Sequence, residues 1–143
     1  MNNCIFCTIA KRDSSQYQSQ VVYEDNIFIA MLVSHPQTAG HTIVFTKKHF
    51  SELKNMNSVI GNLMLTVVKV SEKLIRTLKA KAYTLKINNN LYKLEDNPLH
   101  VGHIHIHIIP RYTPDDKIDS NPKQVDINIL RKLKDKIADK IKA

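Results

Sequence analysis

"LHVGHIHIHIIPRY", residues 99–112, holds four of the chain's seven histidines, and three of them, His103, His105 and His107, alternate with isoleucine. A period of two predicts a strand. Side chains two apart on a strand share a face at intervals of ~6.6 Å, so the three histidines point one way and Ile104, Ile106 and Ile108 the other. One face is then a core and the other a row of imidazoles. Imidazole nitrogens withdrawn from water need hydrogen-bonding partners. The competing arrangement is a solvent-exposed row of histidines.

Working outward, "VVYED" (21–25) and "IFIAMLV" (27–33) read as strands around an Asp25-Asn26 turn, with "HTIVFTK" (41–47) as a third. "AYTLKIN" (82–88) is the strand before the histidines. From about Asn57, the apolar residues Ile60, Leu63, Met64, Val67, Val70, Leu74 and Leu78 recur at threes and fours, which predicts a long amphipathic helix capped by Asn57 or Ser58. Ile127, Leu130, Leu133, Ile137 and Ile141 mark a C-terminal helix over 125–142 with Asp126 as its cap. Residues 113–124, rich in Pro, Asp, Ser and Asn, read as an exposed loop. Three strands, a helix, two strands and a helix predict an α+β fold. Few strands are separated by the crossovers that parallel pairing requires, so the sheet is expected to be antiparallel, with one long central helix and a C-terminal helix.

The 143 residues, 43% hydrophobic and 24% charged, fit one domain spanning 1–143. Apolar runs end well short of the ~18–20 residues of a membrane span, and the N-terminus lacks a signal peptide's basic start and long apolar centre. A cytoplasmic address is expected. The net charge of +8 raises the question of nucleic acid. Many of the basic residues, however, are interleaved with apolar ones at helical spacing, as on the solvated face of a helix, which makes a nucleic-acid partner the weaker reading. A basic surface still concentrates anionic substrates such as nucleotides. Cys4 and Cys7 are too close for a fold-stabilising disulfide and suit a metal ion or a redox pair.

The histidine strand resembles the signature of the histidine triad (HIT) family, His-x-His-x-His followed by two apolar residues, here residues 103–109. "CIFCTIA", "VVYEDNIFIAML", "GHTIVFTKKHF" and "INNN" follow the family's order, so the likeness covers most of the chain up to Tyr112. The short chain is most similar to the Hint-like nucleotide-binding branch. The resemblance implies that His105 attacks the α-phosphorus of a purine nucleotide derivative and that His107 holds the phosphoryl oxygens. It places His41 and Asn89 on the phosphate or leaving-group side, and Phe6, Ile9, Val33 and Ser34 around the substrate. It also implies a homodimer and a structural zinc held by Cys4, Cys7, His49 and His103. His100, close in sequence and without a family role, competes with His103 as the fourth ligand.

Two departures bear on substrate recognition. Where the family carries Gly-Gln-Ser/Thr-Val before the strand, this chain has Pro98, Leu99, His100 and Val101. Where an acidic residue typically binds the ribose hydroxyls, it has Val33. The leading expectation is a nucleotidyl hydrolase acting on nucleoside phosphoramidates or related derivatives, with dinucleoside polyphosphates as a variant. The alternative is a non-catalytic nucleotide- or zinc-binding module.

Overall fold

The computed structural model describes residues 4–11, 15–94 and 101–142. Strands β1 (Val21–Glu24), β2 (Phe28–Leu32), β3 (Thr42–Thr46), β4 (Ala82–Ile87) and β5 (His105–Arg111) form one sheet in the order β1-β2-β3-β5-β4. Every neighbouring pair is antiparallel. The fold is α+β, as the sequence predicts. β3 and β5 lie inside the sheet, and β3 is buried along its whole length.

Helices α3 (Ile60–Leu78) and α4 (Ile127–Lys142) cover one face. Leu63, Val67, Val70 and Leu74 from α3 and Leu130, Ile137 and Ile141 from α4 pack there against Val44, Ile104, Ile106 and Ile108. Each such buried aliphatic side chain contributes roughly 1.5–3 kcal/mol. The opposite face carries the histidines and a smaller cluster in which Phe6 and Ile9, from the short helix α1 (Ile5–Ala10), pack on Ile29, Met31, Ile43 and Phe45. A further turn of helix, α2 (Ser15–Gln18), leads into β1. The alternation of Ile and His therefore divides a two-helix core from the histidine face.

Three local expectations are corrected. His103 lies just before β5, not in it. The ladder stops there because the Thr46 carbonyl is taken by the His103 ring (2.8 Å), while the Ile104 N–H turns to the Phe50 carbonyl (2.8 Å). Neither Asn57 nor Ser58 caps α3: Val59 is the cap residue and makes no side-chain bond. The Met56 carbonyl accepts from Val59 and Ile60 instead, closing the first turn through the backbone. The helices α1 and α2 were not expected, since four to six residues are too few to show a helical period. At α4 the Asp126 carboxylate does accept from the Asn128 N–H (2.7 Å). His100 lies outside the described residues.

Candidate active site and metal cluster

The N-terminal cysteines meet two histidines at one end of the sheet, His49 just after β3 and His103 just before its neighbour β5. Cys4 Sγ lies 3.4 Å from His103 Nδ1, and Cys7 Sγ lies 3.3 Å from His49 Nδ1 and 3.7 Å from His103 Nδ1. All four donor atoms fall within 4.8 Å of one another. Zn–S bonds of ~2.3 Å and Zn–N bonds of ~2.0–2.1 Å in a tetrahedron place S and N about 3.5 Å apart, so the set fits such an ion. The His103 Nε2–H is donated to Thr46 O, which turns the Nδ1 lone pair toward the cluster, the outer-shell bond a metal-ligating imidazole requires. Burial, and then the adjacent Cys4 thiol, push the Cys7 thiol up to about 11. A divalent cation bound there would favour the thiolate form of both sulfurs. Cys4 Sγ also accepts from the Cys7 N–H (3.5 Å), capping α1, so one cluster fixes both the helix and its position on the sheet.

The remaining imidazoles form a directed chain. The Gln37 N–H donates to His41 Nδ1 (3.0 Å), which places the His41 proton on Nε2; from there it is donated to His107 Nδ1 (2.9 Å). The His107 proton consequently sits on Nε2. Burial, with a smaller effect from the Lys86 charge, pushes His41 down to about 4, so it is neutral at pH 7. His105 donates its Nδ1–H to the His103 carbonyl (2.8 Å), placing its lone pair on Nε2. Its ring is 4.8 Å from that of His107 and 5.0 Å, edge-on, from Phe6. His41 owes its place to Gly40, whose φ is +87° and where a Cβ would collide with Leu78 Cδ1.

Beside this chain lies a cleft of about 260 Å³ lined by Phe6, Ile9, Val33, Ser34, His105 and His107, among others. A second cavity of about 240 Å³ meets it at His41 and His107 and is lined by Gln37, Lys86, Asn88 and Ser120. Asn89 lies in neither. Its Oδ1 accepts from the Leu53 N–H (2.8 Å), so it closes a loop, and Asn88 takes the place at the cavity. Parity is the reason: Lys86 pairs with His107 across β4 and β5, so Thr84, Lys86 and Asn88 share the histidine face while Asn89 does not.

A family model of the HIT domain matches residues 14–114. The chain belongs to the HIT family. An uncharacterised HIT-like protein of Methanocaldococcus jannaschii is 33% identical over 135 residues, 92% of this chain and 98% of that protein. The adenylylsulfatase HINT3 of Arabidopsis thaliana is 28% identical over 111 residues, 77% of this chain and 53% of that protein. A zinc-bound histidine triad family protein of Mycobacterium smegmatis superposes with a TM-score of 0.78 at 25% identity, covering 98% of this chain and 94% of that one. HIT membership brings nucleotide binding or hydrolysis as the general activity, and the Cys4, Cys7, His49 and His103 cluster could hold a metal. No helix among the described residues is long and apolar enough to cross a membrane.

Three residues lining this candidate site had no signal of their own in the sequence. Gln37 acts on His41 through its backbone N–H, which no residue type advertises. Lys86 looks like one more solvated lysine until its cross-strand partner is known. Asn88 is distinguishable from Asn89 only by counting strand parity back from Lys86.

Proposed function

We propose that the protein is a nucleotidyl hydrolase that cleaves at the α-phosphate of nucleoside phosphoramidates or related nucleotide derivatives and releases a nucleoside monophosphate. The observation that carries this reading is the fixed tautomer of His105. With its Nδ1–H held by the His103 carbonyl, the Nε2 lone pair faces the cleft next to His107, and an imidazole so oriented is a competent nucleophile at neutral pH. Attack on phosphorus yields a nucleotidyl-His105 that water resolves. The His107 Nε2–H, backed by His41, supplies a hydrogen bond that strengthens as charge builds on the phosphoryl oxygens. Phe6 and Ile9 form the apolar wall against which a purine nucleoside stacks.

In this reading the metal is zinc and its role is structural. Four protein ligands close the coordination sphere and leave no position for substrate. The zinc-bound neighbour from M. smegmatis supports the assignment. The functional protein is a homodimer in the cytoplasm. The test is a turnover screen with the purified protein over adenosine and guanosine phosphoramidates, acyl-adenylates, adenylyl sulfate and dinucleoside polyphosphates. Release of nucleoside monophosphate from at least one class is expected. Nucleotide binding without turnover of any would return the site to a binding module.

A further inference from the structure

The cavity beyond His107 lies on the side away from His105, which is absent from its lining. In an in-line displacement the leaving group departs opposite the nucleophile. Three further elements wall this cavity around His107 and Ile109 of β5. β4 supplies Lys86, directly across from His107, and Asn88 follows it on the same face. The turn before β3 supplies Gln37, whose side-chain amide grips Ser120 from both ends: Nε2 donates to the Ser120 carbonyl (3.0 Å), and Oε1 accepts from its N–H (3.2 Å) and hydroxyl (3.1 Å). The 118–122 segment is thereby seated as the third wall. Lys86 Nζ is 3.6 Å from Asp119 Oδ1, and the Asp119 side chain is 83% exposed, a counter-ion that solvent or a ligand can replace at little cost.

We propose that this cavity is the leaving-group subsite and that Lys86, with Asn88, fits it to an oxyanion leaving group, sulfate or phosphate. This rests on the nucleotidyl-hydrolase reading. It gives the chain a phosphate-side cation where the Gly-Gln-Ser/Thr segment of the family is missing. The Lys86 charge is felt at His41, consistent with an ammonium directed into the site. In the reaction, His105 Nε2 forms the bond to the α-phosphorus as the bond from phosphorus to the leaving oxygen breaks. The electron pair departs with that oxygen, and the anion leaves unprotonated beside the Lys86 ammonium. Water then attacks the phosphorus, the P–N pair returns to His105, and one water proton is released to solvent.

The test compares wild type, Lys86→Met and Lys86→Arg on adenylyl sulfate, ADP and adenosine phosphoramidate, whose leaving group is not an anion. Lys86→Met should lower kcat/KM about tenfold or more on the sulfate or phosphate anhydride and by a clearly smaller factor on the phosphoramidate, with Lys86→Arg close to wild type on all three. Equal loss on all three substrates, or loss on none, overturns the subsite. Binding is measured separately in a His105→Asn background, where turnover plays no part. There, adenylyl sulfate or ADP should bind more tightly than AMP, and Lys86→Met should remove the difference. Affinities equal to that of AMP, with or without Lys86, would overturn the subsite whatever the turnover screen returns. A retained Lys86 effect on binding without wild-type turnover would overturn the hydrolase reading alone.

Discussion

His41 shows how one buried side chain sets the protonation of its neighbours. Its neutrality keeps Nδ1 as acceptor for the Gln37 N–H and directs the Nε2 proton to His107. Its pKa of about 4 is below the value of ~6.5 in the unfolded chain, so between these values only the unfolded state binds the proton. The stabilisation is thus complete above about pH 6.5 and is lost as pH falls toward 4, on the order of 3 kcal/mol. Urea denaturation at pH 7.5 and 4.5 should show a larger acid loss in wild type than in His41→Asn; equal losses would place the sensitivity elsewhere. Val33 carries a second prediction. It lines the cleft at the position where the family resemblance implies an acidic contact to the ribose, and the nearby Ser34 hydroxyl accepts from Gln20 (3.3 Å). Adenosine and 2′-deoxyadenosine phosphoramidates should differ in kcat/KM by less than about tenfold, since one solvated hydroxyl contact is worth about 1 kcal/mol. A hundredfold preference for ribose would mean that other residues read the hydroxyls. At this scale His103, His105 and His107 could be read from alternation, His41 and His49 only from the family resemblance, and Asn88 and Lys86 required the strand register.

Among elements, α1 couples the metal cluster to the cleft. Cys4 and Cys7 flank Phe6, which stacks on Phe45 (4.4 Å between ring centres) and meets His105 edge-on. A six-residue helix has too little hydrogen bonding to hold itself in water, so its order depends on that anchor. Chelation, or Cys4→Ser, should therefore lower thermal stability and raise KM several-fold while changing kcat less, because a metal held by Cys4, Cys7, His49 and His103 would not contact the reacting phosphorus. Metal analysis and steady-state kinetics check this together. Complete loss of kcat in a folded, metal-free protein would instead point to a metal that takes part in the chemistry. The long helices were readable because many residues repeat one pattern, and Leu63, Val67, Val70 and Leu74 fall on the predicted stripe. α1 was not, because only contact with the sheet and the cluster makes it a helix.

For the whole molecule, the order of elements was enough to predict an antiparallel α+β sheet, but not that β5 inserts between β3 and β4. That placement brings His107 beside Lys86 on one side and, through β3, near His41 on the other. It also leaves β4 at an edge of the sheet, with Ile87 exposed on the same side as the outward residues Met64, Leu65 and Val68 of α3. An open edge beside an apolar helix face is suited to pairing with a second copy. Sedimentation equilibrium should give a dimer mass, and Leu65→Lys should shift it toward monomer. A monomer in the wild type at micromolar concentration would contradict the assembly.

The measurement that most directly tests the account is a rapid alkaline quench of the wild-type protein during turnover, followed by mass analysis of the peptide that contains residues 103–111. The account predicts a nucleoside monophosphate on His105, released by mild acid as a phosphorus–nitrogen bond should be and absent from His105→Asn. Rapid turnover with no mass added to that peptide, or with the adduct on another residue, would contradict it.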